Sequence, residues 1–234
     1  DYPECAEALI VEVGDFENPT ATECAALRHK IAKTNMALYV SKTGFDGDVE
    51  RAKKALDSLA ASFALSHRDA NLCADEDAIT PLSVAEGGRR GRYIPYTNRP
   101  ISWHTDGDYN KPDQQIRAMI LHCVNPAEGG GANALMDPEI AYILMREENP
   151  DFIRVLMHPD AMLIPANDEG AGVIRAAQSG PVFSCPDEGA FLHMRYTART
   201  RSIVWRDDPL TAQAVGFLSE LMASDNQYIY RHRL

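Results

Sequence analysis

The chain has 234 residues, 45% hydrophobic and 24% charged, the make-up of one globular domain spanning 1–234. Disorder, collagen and coiled coil are excluded, and no apolar run approaches the ~18 residues of a membrane helix. Lysine plus arginine number 23 against 34 acidic residues, a net charge of −11, so neither nucleic acid nor an anionic membrane surface is the expected partner.

In chain order, residues 20–34 read as a helix. Thr20 and Glu23 make a capping-box pattern, and Cys24, Leu27 and Ile31 recur at helical spacing. Met36–Val40 reads as a short strand. Residues 49–65 read as a second helix after Asp48, with Leu56, Leu59 and Phe63 on one face. Residues 66–100 are polar and irregular, and carry the run Gly87-Gly88-Arg89-Arg90-Gly91-Arg92. So long a stretch without periodicity reads as a functional or mobile loop.

From residue 101 short strands dominate: Ile101–His104, the apolar Gln115–Val124, then Ala134–Met136 after the Gly129-Gly130-Gly131 turn. Helices follow at 137–147 and 150–157, each with proline in its first turn. Strands recur at Met162–Pro165, Val173–Ala177, Val182–Ser184 and Phe191–Tyr196. Asp208-Pro209 opens a last helix, and Tyr228–Leu234 alternates like a strand. Many short strands with helices set among them predict an α+β protein with a jelly-roll core. Ending in mid-strand, the sequence is expected to continue beyond Leu234; an edge strand closing the fold is the alternative. The five cysteines are odd in number, widely spaced and form no CxxC pair, a pattern of reduced thiols expected of a cytoplasmic protein.

The sharpest chemical pattern is His-x-Asp, which supplies two of the three ligands in a 2-His-1-carboxylate iron site. On a strand, residues i and i+2 face the same way, so imidazole and carboxylate can converge on one ion. Chance gives roughly half an instance in a chain of this make-up, yet there are three: His67/Asp69, His104/Asp106 and His158/Asp160. His67 follows a helix, where i and i+2 diverge. His158 precedes Pro159 in an exit turn. His104 ends a strand and Gly107 follows Asp106, so this is the pair expected to hold a metal, against a surface histidine in a polar turn. His122 and His193 lie in apolar strands, where a lone histidine is more often a satisfied core residue; His193 is the fallback third ligand. Arg195, Arg199 and Arg201 cluster in an otherwise acidic chain. Arg195 and Arg201 are candidates to hold a substrate carboxylate, against a solvated loop pairing with Asp207 and Asp208. Asn133, just past the glycines, is either a carboxylate donor or a turn residue.

Trp103-His104-Thr105-Asp106-Gly107, the Gln115–Val124 segment and Glu128-Gly129-Gly130-Gly131-Ala132-Asn133-Ala134-Leu135-Met136-Asp137 together resemble the taurine dioxygenase and gamma-butyrobetaine hydroxylase family. These are Fe(II)- and 2-oxoglutarate-dependent oxygenases on a double-stranded β-helix. The resemblance implies His104 and Asp106 as the first two iron ligands. It places Asn133 where the family has Thr or Ser touching 2-oxoglutarate. It puts the third histidine and the 2-oxoglutarate arginine beyond Leu234, so the domain would lack its C-terminal strands. The implied reaction hydroxylates a small organic acid or amine with O₂ and releases succinate. A carboxylate at Asp106 fills the position that a family halogenase leaves to chloride. The rivals are a non-catalytic jelly-roll binding protein with an incomplete metal site, and a Zn²⁺ hydrolase on the same residues. Oligomeric state stays open, a homo-oligomer included.

Overall fold

The computed structural model describes residues 2–42, 44–45, 47–70, 74, 77–88, 90–168, 173–186, 191–199 and 203–234. Helices and short strands are mixed, and among the described residues the strands form small sheets without closing a barrel. No helix among them is long and apolar enough to cross a membrane. Contacts divide the chain into two compact units. One is built from residues 1–100, 118–137 and 227–234, the other from 101–117 and 138–226.

The first unit opens with β1 (Ile10–Val13), which the sequence reading missed, paired in parallel with β2 (Leu38–Ser41). The crossover between them is α1 (Ala21–Thr34). Its capping box forms as expected: the Thr20 hydroxyl accepts from Glu23 N, and the Glu23 carboxylate accepts from Thr20 N. Gly14 N donates to the same carboxylate at 2.7 Å, so the residue that starts the helix also ties it to the end of β1. These bonds to the ionised form hold the Glu23 carboxyl below its ordinary range. Helix α2 (Val49–Ser62) starts on Asp48, whose side chain accepts from Arg51 N. Val11, Val13, Phe16, Leu27, Phe45, Ala55 and Leu59 form the core of this unit.

His122 packs into that core. Its ring stacks on Phe16 at 4.7 Å and on Tyr39 at 5.8 Å, and Nδ1 lies 2.9 Å from the Tyr39 hydroxyl. It is the satisfied core histidine that the sequence favoured. Burial pushes its pKa below the ordinary histidine value. In the window between that value and about 6.5, the unfolded chain binds a proton that the folded chain does not. The contribution of His122 is therefore complete above about 6.5 and drains as pH falls through that window. Melting followed from pH 7.5 downward should show a falling Tm. His122→Phe, which keeps the stack and cannot titrate, should lose less on acidification. An unchanged pH slope in the variant would assign the effect elsewhere.

Residues 115–124 were expected to be a strand, but they form no sheet ladder. The alternation is nevertheless real. Ile120 and Val124 pack on the core, while Met119 and Leu121 point away from it, 61% and 41% exposed. Both faces are apolar, so the pattern reads as a buried strand, although among the described residues it joins no ladder and Leu121 O accepts instead from the Tyr39 hydroxyl at 3.5 Å. After the glycine turn, with positive φ at Gly130 and Gly131, β3 (Ala132–Leu135) pairs antiparallel with β11 (Tyr230–Arg233), placing Asn133 opposite His232.

In the second unit α3 (Pro138–Glu148), α4 (Pro150–Leu156) and α5 (Pro209–Ala223) pack together. Asn149 and Asp208 cap α4 and α5, each with proline at the first position, as the sequence indicated. Strand β4 (Met162–Ile164) lies between β7 (Gln178–Gly180) and β10 (Val204–Trp205), antiparallel to both. The pairs β5 (Asn167–Asp168) with β6 (Val173–Arg175), and β8 (Phe183–Ser184) with β9 (His193–Met194), are also antiparallel. The predicted strand at Ile101–His104 shrinks to one antiparallel bridge, His104 with Thr197.

Candidate functional site

That bridge sets the site. Ala198 N donates to Trp103 O at 2.7 Å and Thr105 N donates to Tyr196 O at 2.8 Å, so residues 103–105 lie against 196–198. Tyr196 N donates to the Thr105 hydroxyl at 3.0 Å, in place of the Thr105 carbonyl that a continuing ladder would use. Gly107 then turns the chain at φ +68, and Asn110 N closes the turn on Gly107 O at 2.8 Å.

On this frame the His104 ring is oriented by its own backbone. Nδ1 sits 2.8 Å from Ser102 O. A carbonyl only accepts, so Nδ1 carries the proton and Nε2 keeps its lone pair, the arrangement of a metal-binding imidazole. Nε2 lies 3.7 Å from Asp106 Oδ1, with side chains 34% and 44% exposed. Two donors about 2.1 Å from one ion stand about 3.0–3.4 Å apart at octahedral or tetrahedral angles. A small χ adjustment closes that gap, so the pair fits two corners of a metal site. Among the described residues no third His, Cys, Asp or Glu joins it. That includes His193, the fallback ligand, which the structure does not bring into the group.

The other two His-x-Asp pairs are differently employed. His67 Nδ1 meets the Ser66 hydroxyl at 3.2 Å, and both His67 and Asp69 are exposed. His158 Nδ1 accepts from Asp160 N at 3.1 Å, closing a turn after α4; that turn occupies the nitrogen with a backbone donor.

Gly107 carries the geometry of Asp106. A Cβ there would stand 2.5 Å from Ile116 Cγ1 and would force a left-handed φ on an L residue. Gly107→Ala should cost roughly 1–3 kcal/mol and should weaken divalent-metal binding, measured by calorimetric titration. Unchanged affinity would show that the turn does not position Asp106.

The arginine cluster resolves into separate roles. Arg195 is 8% exposed. It donates through Nε to Asp108 O, through Nη1 to Met162 O at 2.9 Å and Gly180 O at 3.4 Å, and through Nη2 to Gln178 O at 2.9 Å. Arg199 pairs with Asp108, Nη2 to Oδ2 at 2.6 Å, and Nε donates to the Thr197 hydroxyl at 3.0 Å. Asp108, 3% exposed, escaped the sequence reading. Its partner is 91 residues away, and only the unusual His-x-Asp-x-Asp spacing hinted at it. Two arginines thus tie the turn after Asp106 to the sheet. Arg201 lies outside the described residues.

In the other unit, Asn133 Nδ2 lies 3.4 Å from Gly131 O. Facing it across the β3–β11 ladder, His232 has a buried Nδ1 with no hydrogen-bond partner among the described residues. Burial holds its pKa below the ordinary value. Directly opposed residues share a face, so an amide and an orphaned ring nitrogen stand together there. His232 has no partner pattern in the sequence, because only the strand register reveals its neighbour.

Comparison with known proteins adds two kinds of match. Over 99 residues the chain is 34% identical to a uridine-5'-phosphate dioxygenase of Amycolatopsis sp, covering 41% of this chain and 33% of that protein. Over 109 residues it is 30% identical to a uridine-5'-phosphate dioxygenase of Streptomyces sp, covering 47% and 38%. The chain thus spans between about a third and two fifths of the curated relatives it matches. Residues 21–234 match the profile described as taurine catabolism dioxygenase TauD, TfdA family. A match over that share of the sequence, with the His104–Asp106 pair on its bridge, makes the chain a member of the TauD/TfdA dioxygenase family.

Proposed function

We propose that the protein is an Fe(II)- and 2-oxoglutarate-dependent dioxygenase that oxidises a small organic substrate. The observation that carries this reading is the His104 ring, held through Nδ1 by Ser102 O with Nε2 turned toward the Asp106 carboxylate. His104 and Asp106 would hold the metal. When bound, Fe(II) with 2-oxoglutarate would supply a four-electron reduction of O₂, two electrons from decarboxylation of 2-oxoglutarate to succinate and CO₂ and two from the substrate, with one oxygen atom entering succinate and the other the substrate.

The chain's own residues orient and exclude. Ser102 O keeps the proton on Nδ1, so the Nε2 lone pair faces the metal position. The ties of Arg195 and Arg199 to Asp108 hold the turn that carries Asp106. The names of the relatives bring a nucleoside phosphate forward as the substrate class.

Anaerobic calorimetric titration with Fe(II), followed by admission of O₂ and 2-oxoglutarate, tests the reading. Metal binding and succinate formation are expected together, with both weakened in His104→Ala. Metal binding without any succinate would favour the non-catalytic binding protein. No Fe(II) binding would end the proposal.

A further inference from the structure

The second unit holds a cavity of about 270 Å³ whose wall includes Gly107, the neighbour of Asp106. Asn110, Gln115, Ser179, Ser184, His193 and Arg195 are among the residues that line it, and no described lining residue is acidic. The charge balance follows from the contacts already given. Arg195 is buried and bonded to neutral carbonyls, the Asp108 carboxylate is bonded to Arg199, and the Asp160 carboxylate meets the Ser179 hydroxyl at 3.4 Å. A buried cation whose acceptors are all uncharged leaves net positive potential in the space beside it. Burial first, then Arg117 and Arg195, hold the His193 pKa below the ordinary histidine value. Positive potential, several hydrogen-bonding side chains and room for a sugar-sized group suit an organic anion.

We propose that this cavity binds the anionic end of the substrate, a phosphate monoester, with Arg195 and His193 as its polar wall. The assignment to substrate rests on reading His104 and Asp106 as the iron site; the preference for an anion rests on the cavity alone.

Cys185 gives a direct probe, because it is an exposed free thiol on the cavity wall. Its alkylation by iodoacetamide can be followed by peptide mass spectrometry, with exposed Cys5 in the first unit as the internal control. At equal concentration, uridine 5'-phosphate should slow alkylation of Cys185 about tenfold, the worth of a charge-assisted hydrogen bond. Uridine should slow it far less, and neither should change Cys5. In His193→Ala, with melting checked against the parent, the protection by uridine 5'-phosphate should largely disappear. Equal protection by uridine and its phosphate, or none by either, would overturn the anion pocket. Protection by 2-oxoglutarate in place of uridine 5'-phosphate would overturn its assignment to substrate. An absence of Fe(II) binding would sink the oxygenase reading and leave the Cys185 result standing, so the two failures are distinguishable.

Discussion

Asp106→Ala is expected to weaken Fe(II) binding by at least the 10–100-fold typical of losses one shell further out, with succinate formation falling in step. The substitution removes the carboxylate that stands 3.7 Å from His104 Nε2, and His104 alone is a poor site for a hard divalent ion. Asp69→Ala and Asp160→Ala are the controls. Asp69 is exposed. Asp160 contributes only a 3.4 Å contact from the Ser179 hydroxyl, and its backbone N–H, which survives the change, closes the turn onto His158. Both should bind metal like the parent. Apo stability should barely move in Asp106→Ala, since the carboxylate is partly exposed and forms no short ion pair. Loss of metal binding in either control, with binding retained in Asp106→Ala, would assign the metal to another pair.

Arg199→Met should be the more damaging half of an asymmetric ion pair, costing about 3–5 kcal/mol in urea unfolding. Asp108→Asn should cost nearer 1–3 kcal/mol. Burial makes the difference, because the Asp108 side chain is only 4% exposed while Arg199 is 46% exposed. Removing the arginine strands a carboxylate out of water, whereas removing the carboxylate's charge frees an arginine that reaches solvent. Arg199 also donates to Thr197, the bridge partner of His104, so its loss should weaken metal binding as well. Equal costs for the two variants would mean that water reaches Asp108 more freely than its burial indicates.

Local signals carried much of the fold. Thr20, Asp48 and Asp208 mark helix starts because a capping side chain acts within three residues of itself. The long strand expected at Gln115–Val124 failed for a non-local reason: apolar alternation records where side chains go, not whether a neighbour bonds to the backbone. Strand β7, Gln178-Ser179-Gly180, has no β-branched residue and is specified by its pairing with β4. At the candidate site, His104 and Asp106 stood out from the two other His-x-Asp pairs by the strand before them and the glycine after them. Asp108 and His232 did not stand out, since each gains meaning from a residue nearly a hundred positions away.

The stretch Ala118–Val124, with Met119 and Leu121 bare on its outer side, also bears on how the protein behaves at high concentration. Seven residues without proline, glycine, lysine, arginine or an acid, and in no ladder among the described residues, match the sequence signature of intermolecular strand association. Colloidal stability should therefore depend on this face more than on the net charge. A single Met119→Lys, placed where no core contact is lost, should act as a gatekeeper and slow aggregation on concentration, followed by light scattering, without lowering Tm.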